Sequence, residues 1–292
     1  MRPTHPPFLA RALGFALVLA APLAVAEPAL WKIENGERDV YLFGTMHALP
    51  SELPWLSETT KEALADSSRL VVEMVPDRTL ADKIGAFMRS HSTYGGTGSL
   101  PAALGEADWQ RLSAVATELG MSLAQLEGLR PWAAWFALNM PAIARAGFDP
   151  ALGADAALIA IAQQRKRRVV TIEDPIAQLE RVAGVDEAQQ VAMLRLFLDQ
   201  YPTTGETLRR LHAAWAAGDE STLAALVHEP LRTVPGLYEA LMTRRNREWV
   251  DAIRDMLAQG QAAFVAVGAG HLVGDDSVPA LLREAGIQVE RL

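Results

Sequence analysis

The sequence predicts an α/β fold: a small, mostly parallel sheet built from both chain ends, flanked by helices, with an inserted helical lobe. Three observations carry that reading. An apolar run ending in Gly-x-x-His occurs near the start, at Tyr41 to His47, and again near the end, at Phe264 to His271. Short β-branched runs alternate with helical patterns at both ends, which is the order of parallel β-α-β units. The middle, about residues 92–260, is mostly helical and is interrupted by a strand near 169–172.

Residues 1–26 read as a signal peptide. Arg2 and Arg11 give a positive start, Ala12 to Ala21 is apolar, and Ala24-Val25-Ala26 is a small-x-small cleavage signature. The apolar run is short for a membrane span, and no later run is long enough for one. The expectation is a periplasmic or secreted protein, residues 27–292, with no stable membrane insertion after cleavage. The chain has no Cys, which excludes disulfides, thiolate metal sites and a cysteine nucleophile.

Along 27–292, a hairpin is predicted at 29–44 around the turn-rich Glu34-Asn35-Gly36-Glu37. Ser57 to Ser67 reads as a helix with Ser57 as N-cap. Leu70 to Met74 is a β-branched strand ended by Pro76, completing a first β-α-β unit whose strands are expected to pair in parallel. The linker Ser92 to Ser99 opens the lobe. Helices follow at about 106–119, 131–146 and 153–164, and then the strand Val169 to Ile172. A helix-rich stretch at about 176–259 leads to a strand at 262–267, a helix near 276–285 and a last strand, Ile287 to Glu290. These last three elements form a second β-α-β unit.

The net charge of −8 argues against a nucleic-acid backbone as partner. The densest basic run, Arg165 to Arg168, falls at a helix C-terminus, where cations are favoured without a ligand.

His47 and His271 lead the chemical candidates. Glycine after a strand permits a sharp turn, and the next polar residue then emerges at the sheet's carboxyl edge, where open α/β sheets build their sites. Glu73 ends an apolar strand at that same edge, where a buried carboxylate needs a cation, a metal or strong donors; its bland alternative is a surface strand end. Glu173-Asp174 ends another strand, with Asp174-Pro175 also readable as a helix start. Asp155 faces the site from a helix N-terminus or is simply a favourable first-turn charge. Arg245 and Asn246 either project into a cleft or share a solvated face with Glu239, Glu248 and Asp251. Two imidazoles with one or two carboxylates suit zinc, manganese, iron or cobalt, although no local metal signature such as His-Glu-x-x-His is present. Gly-x-Ser-x-Gly and phosphate-binding glycine loops are also absent.

These features together resemble the TraB/GumN family, which is related to the Tiki proteases. The matching residues run in order through Trp31, Gly44-Thr45-Met46-His47, Glu73, Gly147-Phe148-Asp149 and Gly153-Ala154-Asp155. They continue with Glu173 ahead of Gln178, Arg245-Asn246, Val267 to Leu272, Gly274 and Gly286. The resemblance implies a Tiki-like fold with both Gly-x-x-His motifs and the acidic strand end in one site. It also implies metal-dependent proteolysis with manganese or cobalt favoured. His47, Glu73 and His271 would then be metal or catalytic groups, and Arg245 a charge-stabilising partner. Asp155 or Glu173 would complete the shell or orient water. Asp174 departs from the small polar residue expected after the acid.

The sequence therefore points to an exported metal-dependent hydrolase acting on a peptide or small-molecule substrate. Two alternatives stay open: a binding module that sequesters a peptide or small ligand, and a metal-independent hydrolase with a histidine general base.

Overall fold

Both ends of the chain meet in one sheet. In this computed structural model the described residues are 27–36, 38–50, 55–96 and 98–292, so the expected signal segment lies outside them. Strands β1 (Leu30–Ile33) and β2 (Val40–Thr45) form the expected hairpin, with Leu30 opposite Phe43. Ser57 caps α1 (Glu58–Asp66) by accepting from the Thr60 N–H, which satisfies one of the orphan donors of a helix start. Strand β3 (Arg69–Val72) stops one residue before Glu73.

The remaining strands are β4 (Arg168–Thr171), β5 (Ala263–Gly268) and β6 (Glu290–Arg291), and the sheet order is β4-β3-β5-β2-β1-β6. The four strands β4, β3, β5 and β2 run parallel, and β1 lies antiparallel between β2 and β6. One correction follows. The strands of the first β-α-β unit do not pair directly, because β5 lies between them. Every residue of β5 is buried, and a strand apolar on both faces belongs at the centre of a covered sheet. This insertion aligns Gly44 with Val267 and Thr45 with Gly268, so the two Gly-x-x-His segments leave the sheet side by side.

The last strand also differs. Ile287 and Val289 pack on the sheet core, and the pairing to β1 is confined to Glu290 and Arg291. Strand β4 lies at the opposite edge, with its residues only half-buried or exposed.

Two helices were not assigned from the sequence, the longer α2 (Arg78–His91), ahead of the lobe, and the short α3 (Leu100–Leu104). The signal for α2 was present: Asp77 caps it by accepting from the Leu80 N–H, and Leu80, Ile84, Phe87 and Met88 recur at helical spacing. Next come α3 (Leu100–Leu104), α4 (Glu106–Glu118), α5 (Pro131–Arg145) and α6 (Ala154–Gln164). Helix α6 packs Leu158 and Ala162 into the sheet core. Helices α7 (Pro175–Ala183), α8 (Glu187–Gln200), α9 (Thr204–Ala216) and α10 (Glu220–Arg232) follow. A π-helical turn, Glu239–Thr243, then runs straight into α11 (Arg244–Ala258), and α12 (Val278–Glu284) precedes β6. The lobe has its own core, including Leu112, Leu138 and Leu194. No described helix is long and apolar enough to cross a membrane.

Candidate active site

The site lies at the carboxyl ends of β2, β3, β4 and β5, each of which delivers one part. His47 follows β2 in a bend, Glu73 follows β3, Glu173 follows β4, and His271 sits in a one-turn 3-10 helix (Ala269–Leu272) after β5. The lobe adds Asp155 from the first turn of α6 and Arg245 with Asn246 from the first turn of α11. Sequence-distant residues converge because parallel strands place all their carboxyl ends on one edge.

Arg245 is at the centre. Its side chain is only 5% exposed, and Nη2 donates to Glu73 Oε2 and to Glu173 Oε1, each at 2.5 Å. Nε donates to both Glu173 oxygens at 3.1 and 3.2 Å. The guanidinium stacks on Trp249, 4.6 Å from the ring centre, a cation–π contact. Glu173 also accepts from Arg181 at 3.3 Å. Two carboxylates therefore share one buried arginine, with a second arginine at the edge. Buried charge is tolerated only when paired in this way.

His271 is held on both nitrogens. Asn246 Nδ2 donates to the Asp276 carbonyl at 2.7 Å, leaving its Oδ1 facing His271 Nδ1 at 2.6 Å. Nδ1 thus carries the hydrogen, and Nε2 accepts from Arg245 Nη1 at 2.9 Å. Burial, and then the Arg245 cation, push this imidazole down to about 3. It is neutral, and its free lone pair already faces a guanidinium.

His47 is the opposite case, with 60% of its side chain exposed. Nδ1 bonds Asp155 Oδ1 at 3.2 Å, and Nε2 lies 3.8 Å from Glu73 Oε1. Surrounding protein disfavours the charged ring, but the Asp155 hydrogen bond and the Glu73 charge outweigh that and lift it to about 9. The ring's contact with water screens these charges and lowers what the pair contributes to stability. Burial alone would raise Glu73. The His47 and Arg245 charges and the Gly268 N–H outweigh it and hold the carboxyl at about 2.

Gly268 makes this approach possible. Its N–H donates to Glu73 Oε1 at 2.6 Å. A β-carbon there would stand 3.1 Å from His47 Nε2 and 3.2 Å from Glu73 Oε1. The motif glycine leaves room between the imidazole and the carboxylate.

The expected residues therefore come together at one edge of the sheet. Among the described residues no group of three or more His, Cys, Asp or Glu side chains is arranged to hold a metal ion. His47 Nε2 and Glu73 Oε1 face each other as two donors. The expected third, His271, spends its lone pair on Arg245, while Asp155 sits on the far nitrogen of His47. This donor set does not fit a three-ligand metal centre of the zinc, manganese or cobalt type. Glu173 is 5% exposed and is held by two arginines. Arg245 is equally enclosed and acts on other side chains. Asp174 caps α7 by accepting from the Ile176 N–H, the helix-start role. Of the Arg244 to Arg247 cluster, Arg245 and Asn246 are buried, whereas Arg247 pairs with Glu239 on the surface. The sequence reading missed Arg181, Trp249 and His228. His228, on α10, bonds the Gly270 carbonyl at 2.8 Å and so ties the lobe to the turn that carries His271; its burial in a helical pattern gave no sequence signal.

The chain is 24% identical over 256 residues to the "Uncharacterized protein YbaP" of Escherichia coli (strain K12), covering 88% of this chain and 92% of that protein. The protein of the same name from Shigella flexneri matches to the same extent. No solved structure matches. The TraB/PrgY/gumN family model matches residues 29–291, nearly the whole described chain, and the chain belongs to the TraB/PrgY/gumN family.

Proposed function

We propose that this is a hydrolytic site for peptide or related acyl bonds, with His47 as the residue that moves the proton. One observation carries the reading: the solvent-open His47 ring is held at Nδ1 by Asp155 while Nε2 faces an ionised carboxylate across 3.8 Å. A base oriented through its second nitrogen by a carboxylate is the logic of nucleophile-activating dyads.

Neutral His47 takes a proton at Nε2 from a water that attacks the acyl carbon. The acyl-to-nitrogen bond then breaks, and the His47 imidazolium returns the proton to the leaving amine. Water is consumed, and one carboxylic acid and one amine are produced. Asp155 keeps the ring oriented throughout and favours the imidazolium. Glu73, held at about 2, is a weak base; its part is to stabilise charged His47 and to hold Arg245. The Arg245 cluster fixes Glu73 and the His271 turn, and no step passes through a metal.

The test is cleavage of a mixed peptide library by the 27–292 chain, with and without a chelator, beside His47→Ala. Cleavage that survives chelation and falls about 10²- to 10⁴-fold in the variant supports the reading. Cleavage abolished by chelation and restored by manganese or cobalt would replace it with the metal-dependent form. Unaltered cleavage in the variant would sink both.

A further inference from the structure

Within the lobe a cavity of about 310 Å³ opens between α5, α8, α9, α10 and the π-helical turn. None of the residues lining it carries a charge. Leu196, Leu208, Leu231 and Leu241 form much of its wall and are all only half-buried. Its polar side chains are neutral, and three of them, Gln200, Thr204 and Thr207, gather at the corner where α8 ends and α9 begins. Leu237, Leu241 and Val227 complete the apolar lining. Protein interiors leave few voids larger than a water molecule, so an uncharged space of this size, lined by half-open leucines, is shaped for an apolar guest.

We propose that this cavity binds one linear acyl chain, with the methylenes along the leucine wall and an uncharged polar head at the Gln200–Thr204 corner. Length supports that occupant. A methylene fills about the volume a water occupies in the liquid, roughly 30 Å³, so the space admits about ten chain carbons. The lack of any ionic partner disfavours a charged head inside it. The cavity also borders the site. Leu241 lines it while its carbonyl accepts from Arg245 Nη1 at 3.4 Å, and Val227 lines it while packing directly against Gly270. π-Helical turns within helices often mark functional positions, and here that turn links the apolar wall to the arginine of the site. The binding does not depend on any particular reaction at His47.

The experiment uses the 27–292 chain and monoacylglycerols of roughly six to fourteen acyl carbons, kept below their critical micelle concentrations. Affinity should rise about fourfold per added methylene and level off near ten carbons. A chain brominated near its end should quench tryptophan fluorescence through Trp135, which lines the cavity. Trp135→Phe should remove that quenching and keep the binding. Leu208→Trp, which fills the space, should weaken binding at least tenfold with an unchanged melting curve. Affinity that climbs without a plateau, quenching that persists in Trp135→Phe, or preferential binding of apolar tripeptides would overturn the acyl-chain assignment. Should Leu208→Trp not fold, the quenching comparison decides alone.

Discussion

Arg245 Nη1 donates to His271 Nε2 at 2.9 Å while its Nη2 bonds Glu73 and Glu173. His271, a ligand candidate from the sequence, is thus an acceptor for a buried cation. Removing that cation leaves two buried carboxylates facing each other. Arg245→Met should therefore cost about 3–5 kcal/mol of unfolding free energy, the usual penalty for breaking a buried pair from one side. Arg245→Met/Glu173→Gln should recover part of the loss, because one of the stranded charges is gone. Urea denaturation measures both. A loss in Arg245→Met below about 1 kcal/mol would mean that water already reaches the cluster and that this is an exposed pair in energetic terms.

Gly268→Ala separates the site from the fold. The φ of Gly268 is −50°, open to any residue, so alanine brings no backbone strain. Its β-carbon would instead press on His47 Nε2 and Glu73 Oε1 at 3.1 and 3.2 Å. The expected result is a stability change within about 1 kcal/mol together with a fall in turnover of about tenfold or more, because the reacting imidazole must give by a few tenths of an ångström and rates fall steeply as reacting groups are misplaced, about 10²-fold for a full 1 Å. Equal turnover in Gly268→Ala would show that the gap between His47 and Glu73 is not where chemistry occurs.

Much of this was legible from the sequence, and the boundary has a physical basis. The paired Gly-x-x-His runs announced two strand ends on one edge, since strand periodicity and glycine turns are local properties. Glu73 could be placed near that edge for the same reason, whereas Asp155 read equally well as a favourable charge in the first turn of its helix. What could not be read was which charge would pair with which. Arg245 lies in a helix whose neighbours Arg244 and Arg247 are surface residues, and the choice of Glu173 and Glu73 as its partners is a tertiary matter. The lock on His271 needs Asn246, one residue after Arg245, turned inward by the Asp276 carbonyl. The insertion of β5 between β2 and β3 likewise depends on its burial on both faces, a pattern that fits any central position and names none.

The two histidines should give the fold opposite responses to pH. His271 is neutral when folded, down at about 3 against an ordinary value of 6.5. As pH falls through 6.5 the unfolded chain takes up a proton that the folded chain refuses, so stability declines over the window from about 6.5 to 3. His47 is raised to about 9, so its contribution is full below about 6.5 and is lost as pH rises through 9. Solvent exposure keeps that second effect small. Thermal melts across pH should peak near 6.5, and His271→Gln should flatten the acid side down to about 4.5, where Glu73 and the other carboxylates begin to titrate in the unfolded chain. An acid limb that is unchanged in His271→Gln would place the proton uptake elsewhere.

The same raised imidazole sets the pH dependence of turnover. If neutral His47 is the base, kcat/KM reports its titration in the free enzyme and should rise with pH, levelling above about 9. Asp155 supplies the leading upward contribution through its hydrogen bond. Asp155→Asn keeps a partner for Nδ1 but removes the charge, so the midpoint should move down toward 6.5, the ordinary imidazole value. The maximal rate should also fall, because a weaker base with a less favoured imidazolium drives proton transfer less well. A profile with the same midpoint in both proteins would assign the titrating group to something other than the His47–Asp155 pair. A midpoint that moves while the plateau stays level would leave Asp155 the role of tuning His47 alone, with no part in orienting it.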